Sequence, residues 1–201
     1  MKSTYYYTTI IIISGLCILG CSKSSVDKSS LLSYINDEDN GLTKKDGGDV
    51  EVVYRPRDLI IEQEIEGKNF NTGQIDSITN KLKEYDYFNL RISSGKKDIL
   101  NAYAGDPDAY SGALDYLSFG IGKDVRLITA NDTLSVYDLA YFRGYGANNA
   151  SEVLLVFKSG LQTKDNNFKF LFDDTYFNTG LHEFEFESVD LKSIPPLTLT
   201  Q

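Results

Sequence analysis

Oxygen ligands stand closest together between Ser33 and Leu42, where Asp37, Glu38 and Asp39 precede Asn40 and Gly41. Carboxylates and an amide are donors that calcium takes. An EF-hand loop places its glycine sixth, counted from the first aspartate, whereas Gly41 falls fifth from Asp37. Asp37 and Asp39 are thus metal candidates set against a plainer reading, a polar turn with Asn40-Gly41 at a left-handed corner. A second acidic group is Asp173-Asp174, with Asp165 upstream. Neighbouring strand residues point to opposite faces, so these two need not converge, and a solvated loop over 173–180 accounts for them. Glu183, Glu185 and Glu187 alternate along one predicted strand face, roughly 7 Å apart. Glycoside hydrolysis uses carboxylate pairs, but they come from different elements across a cleft. A same-strand row reads as a solvated outer face. His182, the only histidine, has no Gly-x-Ser-x-Gly elbow to serve as base. It shares a strand face with Phe184 and Phe186. No catalytic residue is assigned.

The aromatic content points elsewhere. Tyr137, Tyr141, Phe142 and Tyr145 surround Arg143, and Gly144 to Asn149 is rich in glycine and asparagine. Tyrosine and arginine offer contact area and hydrogen bonds at low conformational cost and dominate binding hot spots. Tyr141, Arg143 and Tyr145 are the candidate binding face. Gly120-Ile-Gly122 and Gly144-Tyr-Gly146 lack the continuation of a phosphate-binding loop, so no nucleotide cofactor is expected.

Composition narrows the classes further. The 201 residues include 20 basic and 29 acidic side chains, a net charge of −9, which disfavours a nucleic-acid partner. Two cysteines, one histidine and no tryptophan leave little for a disulfide scaffold or a zinc site. A content of 41% hydrophobic and 24% charged residues suits a globular domain.

The elements that must position these residues are mostly strands. Val50 to Tyr54, Phe88 to Ile92, Val125 to Thr129, Leu134 to Phe142, Phe168 to Phe172 and Phe184 to Phe186 show strand patterning, and Leu59 to Ile65 is a further candidate. Val153 to Phe157 is apolar throughout and reads as a central strand. Two helices are predicted. One carries Ile75, Ile78, Leu82 and Tyr85, with Asn71 or Thr72 as its cap. The other starts at Asp106-Pro107 and carries Tyr110, Ala113, Leu114 and Leu117. The fold class is α+β and β-rich, an antiparallel sheet or sandwich with about two helices.

The first twenty residues have their own pattern. Lys2 precedes an apolar run from Ile10 to Leu19, too short to span a bilayer, as in a signal-peptide core. The run ends in Ile18-Leu19-Gly20-Cys21, which resembles the lipobox of bacterial envelope lipoproteins. That resemblance implies cleavage before Cys21, lipidation of its sulfur and, because Ser22 is not aspartate, residence in the outer membrane of a Gram-negative envelope. The implied organisation is a leader over 1–20, a flexible serine-rich tether over 21–30 and one domain over 31–201. Beyond the lipobox the chain resembles small Gram-negative lipoproteins without assigned activity. The expected role is a non-enzymatic binding or assembly module, anchored to the membrane through Cys21, whose partner is an envelope protein or glycan. A carboxylate-dependent hydrolase of envelope glycans or peptides, acting through Asp173 or Glu185, and a calcium-stabilised adhesion module are the alternatives.

Overall fold

Alternating apolar and polar residues make strands that bury one face, and two such faces must meet. The computed structural model describes residues 24–144, 149–161 and 166–199. Among them ten strands form: β1 (Thr43–Asp46), β2 (Val50–Arg55), β3 (Tyr85–Ser94), β4 (Lys97–Asp98), β5 (Val125–Ile128), β6 (Thr133–Ser135), β7 (Asp138–Phe142), β8 (Ser151–Lys158), β9 (Phe168–Asp174) and β10 (Gly180–Phe186). The first sheet runs β1-β2-β3-β8-β7, with β4 folded back onto the end of β3, and the second runs β10-β9-β5-β6. Every pairing is antiparallel. The α+β, β-rich sandwich is therefore the observed class.

The sheets meet through phenylalanine. Phe88 of β3 is fully buried, and its ring lies 5.9 Å from Phe168, 5.4 Å from Phe170 and 5.7 Å from Phe186 on the opposite sheet. Within its own sheet it meets Tyr54 and Phe157 edge-on. Edge and tilted contacts of this kind add to the burial of apolar area. The β8 strand is interior, as its apolar run predicts. Val153, Leu155 and Phe157 enter the core, while Leu154 and Val156 are only half-buried on the other face.

Five α-helices form among the described residues, where the sequence pattern predicts about two: α1 (Lys28–Asn36), α2 (Arg57–Ile65), α3 (Thr72–Leu82), α4 (Pro107–Asp115) and α5 (Ser188–Ser193). The α3 and α4 helices are the predicted pair, except that Tyr85, expected on the first, opens β3 instead. Asn71 caps α3 in a reciprocal box with Gln74, and the Asp106 carboxylate accepts from the N–H groups of Asp108 and Ala109 ahead of α4.

Three expectations are corrected. The segment Leu59 to Ile65 is helix, not strand. Its consecutive Leu59-Ile60-Ile61 run masks a helical face on which Leu59, Glu62 and Ile65 are buried, and Pro56 stands at the N-cap. The α2 helix packs on β3, with Ile60 and Gln63 beside the outward Asn89 and Leu154. The segment Leu134 to Phe142 is two strands in different sheets, β6 on one edge and β7 on the other, with the crossing at Val136-Tyr137. Helix α1 begins inside the expected tether: Asp27 accepts from the Ser30 N–H at 2.8 Å, and Leu31 and Ile35, one turn apart, enter the core. Val26 is already tied to the C-terminal segment, donating to the Pro196 carbonyl at 2.9 Å and accepting from the Thr198 N–H at 2.8 Å. Val26 is the fifth residue after Cys21. Cys21 itself, like the whole leader over 1–20, lies outside the described residues.

Truncating the central ring tests this architecture. Phe88→Ala is expected to cost about 3–5 kcal/mol, read as a lowered urea midpoint with an unchanged denaturant slope.

Candidate functional site

Candidate residues Tyr141 and Arg143 fall on either side of Phe142, so strand alternation sends both to one side of the β7 edge. There they line a cavity of about 360 Å³ with Asp98, Asn101 and Tyr110. Each comes from a different local device. Asp98 ends the short β4 strand, and its Oδ1 caps the following 3-10 turn by accepting from Leu100 N–H at 3.0 Å. The same oxygen accepts from the Ser151 hydroxyl at 2.6 Å, which ties the β4 turn to the start of β8. Tyr110 stands on α4 and reaches the cavity from the opposite wall. The Arg143 guanidinium lies 5.6 Å over its ring and donates to its hydroxyl at 2.9 Å. This stacking fixes the direction of the guanidinium.

The Tyr141 hydroxyl is the unusual atom. It is buried and makes no hydrogen bond. Burial raises its pKa; the neighbouring Ser151 hydroxyl works against that shift, and the Asp98 carboxylate adds to it. Ser151 gives its proton to Asp98 and keeps its lone pairs beside the phenol. Buried hydroxyls are ordinarily paired, and the nearest group to this one is the Ser151 hydroxyl. The third residue of the expected face, Tyr145, lies outside the described residues.

The remaining candidates are dispersed. Asp37 caps a 3-10 turn by accepting from Asp39 N–H at 3.1 Å, and both side chains are exposed. Gly41 takes the predicted left-handed corner at φ 72°. A Cβ there would stand 2.1 Å from the Asp190 carboxylate oxygen and would displace that side chain, while the positive φ is what calls for glycine. Among the described residues no group of three or more His, Cys, Asp or Glu is disposed to hold a metal ion. Asp173 and Asp174 diverge as strand geometry requires. Asp173 is exposed, while Asp174 is buried and gathers the N–H groups of Tyr176, Phe177 and Thr179 at 2.8–3.0 Å. Glu183 and Glu185 flank Lys169 on the outer face of β10, at 3.6 and 2.9 Å. Glu187 precedes α5. Asp165 lies outside the described residues.

His182 is buried between β1 and the turn that opens β10. Its Nδ1 is 2.8 Å from an Asp46 oxygen, its Nε2 is 3.0 Å from the Thr179 hydroxyl, and its ring stacks near Phe172 and Phe184. Thr179 in turn donates to Asp174 at 2.6 Å. A nucleophilic hydroxyl must pass its proton to the imidazole, and this one is directed at a carboxylate instead. The chain Asp46–His182–Thr179–Asp174 therefore reads as a clasp between the two sheets.

Compared with protein families, with curated proteins and with solved structures, the chain finds no match. The site is consequently read from its own atoms. Sequence reasoning missed Asp98, Asn101 and Tyr110 as partners of Tyr141 and Arg143. Asp98 before Ile99-Leu100 carries a cap signal, but only the β3–β4 reversal brings that cap to Ser151.

Tyr116 supplies a pH test of the wall behind α4. Its hydroxyl donates to Asp124 at 2.7 Å, and burial, then that carboxylate, pushes its pKa far above the ordinary phenol value. The unfolded chain loses this proton near pH 10, at roughly the ordinary value, whereas the fold retains it. The group's contribution is thus complete below about pH 10 and declines above it. The urea midpoint is expected to drop between pH 9 and 11, and to drop less in Tyr116→Phe.

Proposed function

We propose that this chain is a lipid-anchored envelope protein that acts as a non-enzymatic binding module. Its anchor is Cys21, and its binding face is the cavity between the β7 edge and α4. The observation that carries the reading is the exposed Arg143 guanidinium, held in place by Tyr110 on the wall of a cavity of about 360 Å³. A concave surface with a few convergent polar groups suits recognition of a partner.

The anchor reading rests on the lipobox resemblance at Ile18 to Cys21. Among the described residues no helix is long and apolar enough to cross a membrane. From Cys21 to Val26 is five residues, which span at most roughly 17 Å of extended chain. A lipid on Cys21 would therefore hold the domain close to the bilayer, with the paired termini nearest to it. Two acyl chains or more give stable attachment.

Two measurements test the two halves. Cys21→Ser is expected to abolish incorporation of labelled palmitate and to move the protein out of the membrane fraction; a retained label would overturn the anchor. For the binding face, the native lipoprotein is crosslinked in its own envelope, and the captured material is compared with that of Arg143→Ala. One or two dominant species are expected, reduced at least tenfold in the variant, with a melting temperature within about 3 °C because Arg143 is exposed. Undiminished capture by the variant would sink this choice of face.

A further inference from the structure

From a second cavity, at the crossing from β6 to β7, we infer a docking surface for the phospholipid headgroup layer, formed by Phe119, Lys123 and Tyr137. It deepens the anchor reading above and rests on it, because a lipid on Cys21 is what brings the bilayer within reach.

Exposure marks the patch. Phe119 is 79% and Tyr137 63% exposed, the highest values among the large apolar side chains described. Both line one open cavity of about 450 Å³, whose charged side chains are Lys123, Arg126 and Asp138. The backbone presents Phe119 on a fixed rim. After α4, residues Tyr116–Gly120 form a π turn, closed by the Ile121 N–H on the Tyr116 carbonyl. Leu117 within it is buried, while Phe119 points out. The segment that follows packs close to β7: a Cβ on Gly122 would stand 3.0 Å from Leu139 Cδ2. Exposed aromatics grouped within a polar rim mark interaction surfaces.

Charge complementarity agrees. Two cations and one carboxylate line the cavity of a chain whose net charge is −9. The carboxylate, Asp138, is turned to the Leu139 N–H at 2.9 Å. Arg126 Nη1 donates to the carbonyls of Lys123 and Val125 at 2.8 and 2.7 Å, and the Lys123 side chain is exposed. Aromatic rings settle at the headgroup level of a bilayer, and basic side chains beside them meet its phosphates.

Position selects a bilayer over a protein partner. The Tyr137 ring lies 5.3 Å from Tyr85. The Tyr85 carbonyl accepts from Arg57 at 3.4 Å, and the adjacent Asp58 accepts from the Leu197 N–H at 3.1 Å. Leu197 is bridged to Val26. Patch and paired termini thus share one end of the sandwich, where β3 begins, and lipidated Cys21 holds that end within roughly 17 Å of the bilayer. Arg143 stands six residues beyond Tyr137, roughly 20 Å of extended chain, so docking turns the cavity beside Tyr110 away from the lipid.

Because the chain has no tryptophan, a single introduced one reports without background. Phe119→Trp and a control, Phe142→Trp at the other end of β7, are made in the full lipoprotein. Each is reconstituted in vesicles of phosphatidylethanolamine and phosphatidylglycerol, part of the lipid being brominated near the headgroup end of its acyl chains. Flotation with the vesicles is read beside the fluorescence. Bromolipid is expected to quench Phe119→Trp at least twofold and to leave Phe142→Trp unchanged, and adding Lys123→Glu to Phe119→Trp is expected to restore at least half of the lost signal. If the protein floats but Phe119→Trp is unquenched, or both probes are quenched alike, or Lys123→Glu changes nothing, the docking surface falls and the anchor stands. Shielding of Phe119→Trp that requires a second envelope protein would assign the patch to that protein and overturn the lipid assignment. A chain that fails to float removes the anchor reading, and the docking surface with it.

Discussion

Both sheets depend on the burial of one ring, Phe88. Each sheet has a single strongly apolar face, and the phenylalanines of β9 and β10 can leave water only against β3 and β8. Phe88 is where they converge, in contact with three phenylalanines across the interface and with Tyr54 and Phe157 beside it. Every other device in the molecule brings a loop, helix or edge up to that core without disturbing it.

Buried aspartates are the commonest of those devices. Asp86 accepts from the hydroxyls of Tyr54 and Ser159 and from the Leu161 N–H, at 2.6–2.8 Å. Asp98 joins the β4 turn to β8, and Asp174 organises the turn before β10. Among the described residues the hydrogen bonds to these three come from neutral donors. In an acidic chain this is economical chemistry, since neutral donors satisfy a buried carboxylate when several point at it together. These carboxylates hold the ends of the sandwich in one arrangement, and one of them, Asp98, lines the cavity beside Tyr141 and Arg143.

The cavity owes its existence to the crossing at Val136-Tyr137. Because β6 ends one sheet and β7 ends the other, the chain passes from one layer to the next along a single side of the molecule. That passage leaves β7 at the end of its sheet, and Arg143 just beyond it meets Tyr110 of α4. Tyr141 and Arg143 lie on this edge, and Tyr110 on α4 is the surface they meet. Continuous strand pattern over 134–142 concealed the crossing, because two short strands of opposite sheets obey the same alternation as one long strand.

Much of the rest was legible. The caps of α3 and α4, the inward phenylalanines of β9 and β10 and the outward row of Glu183 and Glu185 follow from periodicity and side-chain chemistry, which act over a few residues. Helix α2 was not legible, because three consecutive apolar residues fit either structure until β3 supplies a surface. Nor was α1, whose serine-rich start reads as tether until its Leu31 and Ile35 find the core. By itself the sequence determined the class of the fold, the local caps and turns, and the pattern at Cys21 on which the anchor reading rests. Tertiary structure alone decided which side chains meet: Asp98 with Ser151, Tyr110 with Arg143, His182 with Asp46. Those pairs are separated by tens of residues or more, and no local propensity encodes a distance that only the packing of two sheets sets.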